Sequence, residues 1–460
     1  MTTATGTGTG LEALRARYGE AFGTRLPGHV QRLSWDAERL AAHQRERLRA
    51  LLACAIERSP FHARRLGGID PARFGLDDLA GLPVMSKEQM MAGFDELATD
   101  RRLTRARAEA HLAACADEPG LLGGRYVCLA SGGSSGLRGL FVQTIEEFAE
   151  FSASVMRRLV ARLAAAGPPP PDGVPVALIG AASPVHASGF AAAAAGAGHP
   201  VRAISAPATL PLAGLVQRLN QMRPLVVMAH TSKLALLAGE QRASRLQIAP
   251  VSVTAMGEQL TETNRAVISD AFGIPLINQF TSTEGLVGHS EPGGAVLTFA
   301  SDMCIAELVG QDNRPVPDGT PSAKVLLTNL YNHTQPLIRY ELTDRFTRHP
   351  ADPGHGQLRA TVEGRADDTF CYAAIAVDPL VIRTVMVRTP AALEYQVRQT
   401  SAGIDVAVVA TGPLDHAALA AALGRSLSAA GLPDPQVRVR QVPDIARHPE
   451  TGKARRFIPL

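Results

Sequence analysis

The sequence predicts an α/β protein: a large N-terminal domain with doubly wound mixed sheets, followed by a small α+β domain. Three observations carry this. Between Val174 and Phe280, short apolar runs alternate with amphipathic stretches, the pattern of parallel strands joined by crossover helices. With 460 residues the chain exceeds one ordinary core, so two or three domains are expected. From about residue 366 a separate strand–helix–strand pattern begins.

Taken in order, residues 1–10 are Thr/Gly-rich and read as a disordered tail with no signal-peptide core. Over 36–58, Leu40, Leu48, Leu51, Leu52, Ala55 and Ile56 share one helical face, and Ser59-Pro60 stops the helix. Short helices and turns fill Phe61 to Lys87. A helix over 145–165 carries Phe148, Val155, Leu159 and Leu163 on one side. Gly167, Pro168 to Pro171 and Asp172-Gly173 form a stiff connector. Strands follow at Val174–Gly180, Val201–Ser205, Leu225–His230, Val251–Met256 and Pro275–Phe280. Helices lie between them at 185–196, Leu212–Met222, Ser232–Glu240 and Thr261–Phe272. From about 286 to 363 short strands and turns predict a small β-barrel-like part, with Val325–Thr328 and Leu337–Tyr340 as its clearest strands. The last unit reads as strand Ile404–Val409, helix Asp415–Ala430 and strand Gln436–Val442.

A net charge of +3 supplies no field that selects nucleic acid or an acidic membrane. Arg101, Arg102, Arg105 and Arg107 read as a solvated helix face rather than a polyanion patch. The five cysteines are scattered and lack any Cys-x-x-Cys spacing, so neither a disulfide framework nor a structural zinc site is expected, and a cytoplasmic location is. No apolar run of about 18 residues predicts a membrane span.

The stretch with the strongest chemical signature is Ser131-Gly132-Gly133-Ser134-Ser135-Gly136-Leu137-Arg138-Gly139, between the apolar runs Tyr126–Ala130 and Leu140–Val142. Its glycines and hydroxyls suit either a polyphosphate cradle or a flexible turn. Two more polar clusters, Gly257-Glu258-Gln259 and Thr281-Ser282-Thr283-Glu284, fall at strand ends, where ligands of open α/β sheets sit.

These motifs, with Arg339-Tyr340-Glu341-Leu342-Thr343-Asp344, Gly364-Arg365-Ala366-Asp367-Asp368 and Pro449-Glu450-Thr451-Gly452-Lys453, resemble in order and spacing the adenylate-forming enzymes. That group contains acyl-CoA synthetases, peptide-synthetase adenylation domains and luciferases. The chain is most similar to the phenylacetate–CoA ligase branch, from about residue 48 onward. Ser59-Pro60-Phe61-His62 through Leu82-Pro83-Val84-Met85-Ser86-Lys87 is typical of that branch.

The resemblance implies a large domain over 11–363, a hinge over 364–368 and a small mobile domain over 369–460. It implies ATP and Mg²⁺ as cofactors, with a carboxylic acid, aryl or otherwise bulky, activated as an acyl-adenylate. The acceptor would be coenzyme A or the phosphopantetheine arm of a carrier protein. Ser131, Ser134, Ser135 and Gly136 would hold the phosphates, with Leu137 where the family carries a lysine and Arg138 beside it as the substitute cation. Glu284 would hold Mg²⁺, and Gly257, Glu258 and Thr283 would line the nucleotide. Phe280 is either an adenine platform or a core ring. Asp344 would accept from the ribose hydroxyls, and Arg365 either contacts the nucleotide or forms a hinge ion pair. Asp367 would be the pivot. Lys453 would neutralise charge between carboxylate and α-phosphate, or is a solvated tail lysine. His186 and His230 border the expected acid pocket, as contacts or as satisfied core residues.

Two departures bear on function. Thr281 replaces a glycine near the nucleotide. After the hinge, Ala373 and Ala374 stand where the branch carries arginine and glycine, which narrows the expected path of the pantetheine arm. An amine acceptor, as in amide synthesis, and a degenerate nucleotide-binding member without turnover are therefore the alternatives.

Overall fold

A computed structural model describes residues 7–115, 118–131, 139–168, 170–181, 183–195, 201–352, 354–365, 368–373, 375–377, 379–387, 389, 391–410, 412–447 and 454–460. The chain opens with helices α1 (Thr7–Gln31), α2 (Ala37–Arg58), α3 (Pro60–Arg65), α4 (Lys87–Ala92), α5 (Phe94–Leu97) and α6 (Arg105–Ala114). A hairpin of β1 (Tyr126–Ala130) and β2 (Leu140–Thr144) leads into α7 (Ile145–Ala166). The alternating segment follows as β3 (Val174–Gly180), α8 (Ala187–Ala194), β4 (Val201–Pro207), α9 (Leu212–Met222), β5 (Val226–His230), α10 (Thr231–Arg242), β6 (Ser252–Met256), α11 (Glu262–Phe272) and β7 (Ile277–Thr281). Strands then dominate: β8 (Val287–Ser290), β9 (Leu297–Phe299), β10 (Cys304–Val309), β11 (Lys324–Asn329), β12 (Tyr340–Leu342), β13 (Asp344–His349) and β14 (Arg359–Arg365). The C-terminal unit comprises β15 (Phe370–Tyr372), β16 (Ile375–Val377), α12 (Pro379–Val387), β17 (Ala392–Thr400), β18 (Gly403–Ala410), α13 (His416–Ala429), β19 (Gln436–Gln441) and β20 (Phe457–Ile458).

The central sheet has nine strands in the order β13-β14-β9-β8-β7-β6-β5-β3-β4. From β4 to β7 every pairing is parallel, and beyond β7 every pairing is antiparallel. The sheet is therefore mixed. Its parallel half needs crossover helices, and the period-2 alternation of its strands divides them between two faces. Ala177, Ile179, Val227, Ala229, Val253 and Ala255 pack on one face with Leu215, Leu219, Leu234, Leu237 and Ile268 of α9, α10 and α11. The intervening Val176, Val226, Met228 and Met256 point the other way, toward Leu159 and Met156 of α7. The stretch expected to be barrel-like is divided: β10-β11-β12 form a three-stranded antiparallel sheet, while β8, β9, β13 and β14 join the central sheet. The C-terminal unit has its own sheet, β19-β18-β17-β20, and its own core.

Among the differences from the sequence reading, the strand expected at Leu337–Tyr340 begins only at Tyr340 and runs to Leu342. The helix α1 begins at Thr7, so the last four residues of the expected tail are helical. Composition near the terminus hid an amphipathic pattern that starts just after it: Leu14, Tyr18, Phe22 and Leu26 recur every fourth residue and are buried. Arg17 and Arg25 pair with Glu146 and Glu150 of α7, and His29 also meets Glu150 at 2.7 Å. The strand β17 was absent from the reading because Glu394, Gln396, Arg398 and Gln399 mask its alternation. The arginines at 101–107 are held locally: Arg102 by Asp100 and Arg105 by Glu109.

One buried ion pair ties α7 to the antiparallel half. Arg157 donates to both carboxylate oxygens of Asp302, at 2.8 and 2.7 Å, and Arg32 approaches the same group at 3.5 Å. Burial pushes the Asp302 carboxyl up, but the charge and hydrogen bonds of Arg157, with help from Arg32, hold it down at about 2. A carboxylate depressed below its ordinary 3.8 stabilises the fold above that value, and its contribution fades as pH falls toward 2. Replacing Asp302 by Asn leaves Arg157 buried without its counter-charge. We expect a loss of about 3–5 kcal/mol near neutrality in chemical denaturation, narrowing as both proteins are acidified below pH 3.8.

Candidate functional site

The hairpin β1–β2 is in register through Ala130 and Leu140, so residues 131–139 form its connection. The neck is closed by Ser131 N–H donating to Gly139 O and by Gly139 N–H donating to Ser131 Oγ, both at 2.9 Å. Ser134, Ser135, Gly136 and Arg138 lie outside the described residues. The side chain of Lys87, from the start of α4, lies beside the neck at Gly139. A Cβ built on Gly139 would lie 3.0 Å from Lys87 Cε and 3.1 Å from Ser131 Oγ. Sequence reading placed Lys87 only in a branch-typical segment. Its signal was the capping box of α4, Ser86 with Gln89, which fixes where that lysine starts a helix.

The edge of β1 meets the entry to α8. Ala130 N–H donates to Val185 O at 2.8 Å, and Ala130 O lies 3.1 Å from His186 Nδ1. His186 and His230 both line a cavity of about 200 Å³ beside the α7/α8 face of the sheet. Its walls are largely apolar: Met156 of α7, Val176 and Leu178 of β3, Met228 of β5, Met256 of β6 and alanines of α8. Thr281, Ser282 and Thr283 border it at the end of β7, and Tyr18 and Phe22 of α1 border it too. Burial raises the Tyr18 phenol to about 12, partly opposed by a hydrogen bond with Ser152, so it stays protonated. No sequence reading gave α1 a place here.

The turn carrying Glu284 is braced by its own backbone and by Asn329. Gly285 N–H donates to Ser282 O at 3.1 Å, Leu286 N–H to Ser282 O𝛾 at 3.2 Å, and Asn329 Nδ2 to Glu284 O at 2.8 Å. Gly285 has φ +113°, and a Cβ there would collide with Asn329 Nδ2 and Tyr331 OH. Phe280 is half-buried and meets Phe346 and Phe299 edge-on at 5.3 and 5.9 Å, the packing of a core ring.

Asp344 opens β13 and faces Arg365, the end of β14, across an antiparallel pairing, so two residues expected at the nucleotide are brought together in the backbone. Arg339, five residues earlier, is structural. It donates to both oxygens of Glu307 at 3.0 and 2.9 Å and to Ala80 O at 2.8 Å, with φ +49°. Ala373 also has a positive φ, +49°, in the turn between β15 and β16. Asp367, Ala374 and Lys453 lie outside the described residues.

Glu258, in the segment expected to line the nucleotide, has a side chain that meets the start of α10 and the tail. Gly257, with φ +72°, turns the chain after β6 and sets the Glu258 carboxylate against the start of α10. Ser232 N–H donates to Oε2 at 2.8 Å and Ser232 Oγ to Oε1 at 3.1 Å; Ala454 N–H, from the C-terminal unit, also reaches Oε1 at 2.8 Å. Burial pushes this carboxyl up, but His230 and these donors outweigh it and hold it below the ordinary range. The family pattern alone could not reveal the tail contact.

No protein-family model matches the chain. A phenylacetate–coenzyme A ligase of Thermus thermophilus is 26% identical over 383 residues, covering 78% of each chain. The crystal structure of a 2-hydroxyisobutyryl-CoA ligase in its postadenylation state, in complex with R3-HIB-AMP, superposes with a TM-score of 0.68, covering 93% of this chain and 90% of that one at 19% identity. This chain has the adenylate-forming fold. The same ligase in its thioesterification state, in complex with 2-HIB-AMP and CoA, superposes with a TM-score of 0.52 at 19% identity, covering 92% of this chain and 90% of that one.

Within this adenylate-forming fold the Glu284 turn depends on Gly285. We expect Gly285→Ala to cost about 1–3 kcal/mol, through a left-handed backbone and displacement of Asn329 and Tyr331. Asn329→Ala should cost at least as much, because it removes the hydrogen bond to Glu284 O and also the Oδ1 acceptor of the buried Tyr331 and Asn332 N–H groups. Urea unfolding of the two variants checks the order.

Proposed function

We propose that the protein activates a carboxylic acid with ATP and passes the acyl group to a thiol, that of coenzyme A or of a carrier's phosphopantetheine arm. The observation that carries this reading is the apolar cavity bounded by the Thr281–Thr283 edge of the sheet and by Ala130, the last strand residue before the Ser131–Gly139 neck. A polyphosphate held at that neck would present its α-phosphorus toward an acid seated in the cavity. In the first step a carboxylate oxygen attacks the α-phosphorus and pyrophosphate leaves. In the second the thiol sulfur attacks the acyl carbon, AMP leaves and the thiol proton goes to solvent. An aryl or other bulky acid fits the volume and the Met/Ala/Val lining.

The chain's own residues would work by position and charge. Ser131 fixes the neck, and Ser134, Ser135, Gly136 and Arg138 are assigned to the phosphates on sequence. Asp344 and Arg365 are assigned to the ribose, and Lys453 to the charge that develops between acid and α-phosphate. The donor chemistry fits Mg²⁺. Glu284 is a carboxylate on a braced turn, and no group of three metal-ligating side chains exists among the described residues, so the other ligands would be phosphate and water oxygens. A bound magnesium ion would neutralise phosphate charge there.

Transfer to an amine is the second reading, favoured by Ala373, whose methyl stands in the β15–β16 turn where the branch carries arginine.

Pyrophosphate release over a panel of carboxylic acids, with hydroxylamine as trap, tests the first step. Aryl and bulky aliphatic acids should give turnover, and Lys453→Ala should lower it about 10²-fold or more. Silence across the panel would favour a nucleotide-binding protein without turnover. Adding coenzyme A, a loaded carrier or amines then identifies the acceptor.

A further inference from the structure

The seam between the two units is polar and has two footholds. Arg447 and Ala454 of the C-terminal unit pair in an isolated antiparallel bridge, a neck from which both reach the large unit. One side of that neck is Arg447. Its guanidinium binds Glu394 of β17 at 2.9 and 3.2 Å and also donates to Ser232 Oγ at the start of α10. The other side is Ala454, whose N–H donates to Glu258 Oε1. Ser232 joins the two, accepting from Arg447 and donating to Glu258 through both hydroxyl and backbone. The whole chain of contacts is shielded: Arg447 and Glu394 side chains are 10% and 6% exposed.

We propose that Glu258 is a positioning residue: its carboxylate, backed by Ser232 and Arg447, fixes the tail on the large unit for acid activation and releases it for acyl transfer. This rests on the proposed two-step reading. The geometry is suited to the task. The carboxylate sits at the N-terminal end of the twelve-residue helix α10, which favours its charge. Its remaining acceptor capacity is met by a peptide N–H whose preceding residue is Lys453, so the carboxylate fixes the peptide adjoining the lysine assigned to catalysis. A residue lining the nucleotide would instead act through ATP affinity. The seam consists of hydrogen bonds and one ion pair with large desolvation costs, so its net strength is modest and it suits a contact that is made and broken.

Two measurements on the full chain test this. The first is amide exchange of the segment after 447. Glu258→Ala and Arg447→Ala should each speed exchange at Ala454 about tenfold, the loss of one charge-assisted hydrogen bond. Unchanged exchange in both would overturn the proposal whatever the activity of the protein. The second separates half-reactions. Glu258→Ala should lower kcat for pyrophosphate release about tenfold with KM for ATP within about twofold, and leave thioester formation from a synthetic acyl-adenylate unchanged. Glu258→Gln, which keeps an acceptor for Ala454, should recover most of the loss. A raised KM for ATP with kcat intact, or equal losses in both half-reactions, would refute it. A wild-type protein silent toward every acid would count against the two-step reading alone, because the exchange experiment still decides the tail contact.

Discussion

The cavity exists because one face of the parallel sheet is covered by a helix that cannot fill the space beneath it. On the opposite face, leucines of α9 and α10 meet Ala177, Ile179, Val227 and Ala229 and close the core. On the near face, α8 carries the sequence Ala-Ser-Gly-Phe-Ala-Ala-Ala-Ala. Its one large side chain, Phe190, is fully buried against Phe148 of α7, with ring centroids 5.0 Å apart. The methyls of Ala187, Ala191 and Ala192 are left over Val176, Leu178 and Met228, and they are too short to reach them. Interiors pack to near-crystalline density, so a gap of this size between well-packed helices is maintained by its walls. Here the frame is α1, held on α7 by three charge pairs and by Tyr18 against Phe148 at 5.8 Å.

The same logic, inverted, governs the seam. Apolar burial is non-directional and would hold two lobes in any orientation that hides area. The contacts of Glu258, Ser232, Arg447 and Glu394 are directional instead, and each has a defined partner. Burial raises the Glu394 carboxyl, opposed chiefly by Arg447, and lowers the Lys233 ammonium beside it, with Arg447 adding to the effect. Both directions mean that burial disfavours the charged forms by more than the opposite charges of the cluster favour them. A seam of this kind specifies one arrangement without holding it strongly.

Much of this was legible in the sequence. The strands and helices from 174 to 281 follow the periodicity within a residue or two at nearly every boundary, because burial on both faces of a parallel strand leaves continuous apolar runs such as Val226–Ala229. The polar clusters at 257 and 281 did fall at strand ends. Three features were not legible, for physical reasons. The helix α1 begins within a Thr/Gly-rich stretch whose composition argues against it, and only packing on α7 makes it stable. The closeness of Lys87 to the loop neck is a contact between residues more than forty positions apart, with no local signature. The bond from Ala454 to Glu258 spans 196 positions and depends on how two units meet.

Motif residues in this chain divide their duties between architecture and chemistry. Arg339 belongs to the segment that ends in Asp344, yet its guanidinium is consumed by Glu307 of β10 and by the carbonyls of Ala80 and Leu82, which ties the segment at 80–82 to β10. Phe280 ends β7 beside the Thr-Ser-Thr-Glu turn, and its ring completes an aromatic cluster with Phe299 and Phe346. Glu258 follows a strand end and braces the tail. In each case the side chain fixes a neighbouring element, and beside Phe280 the residues Thr281, Ser282 and Thr283 border the cavity. On the proposed two-step reading, a site that must survive movement between two arrangements gains from this division. Residues that hold the frame can be buried and fully bonded, while those that meet substrate stay short, polar and on braced turns.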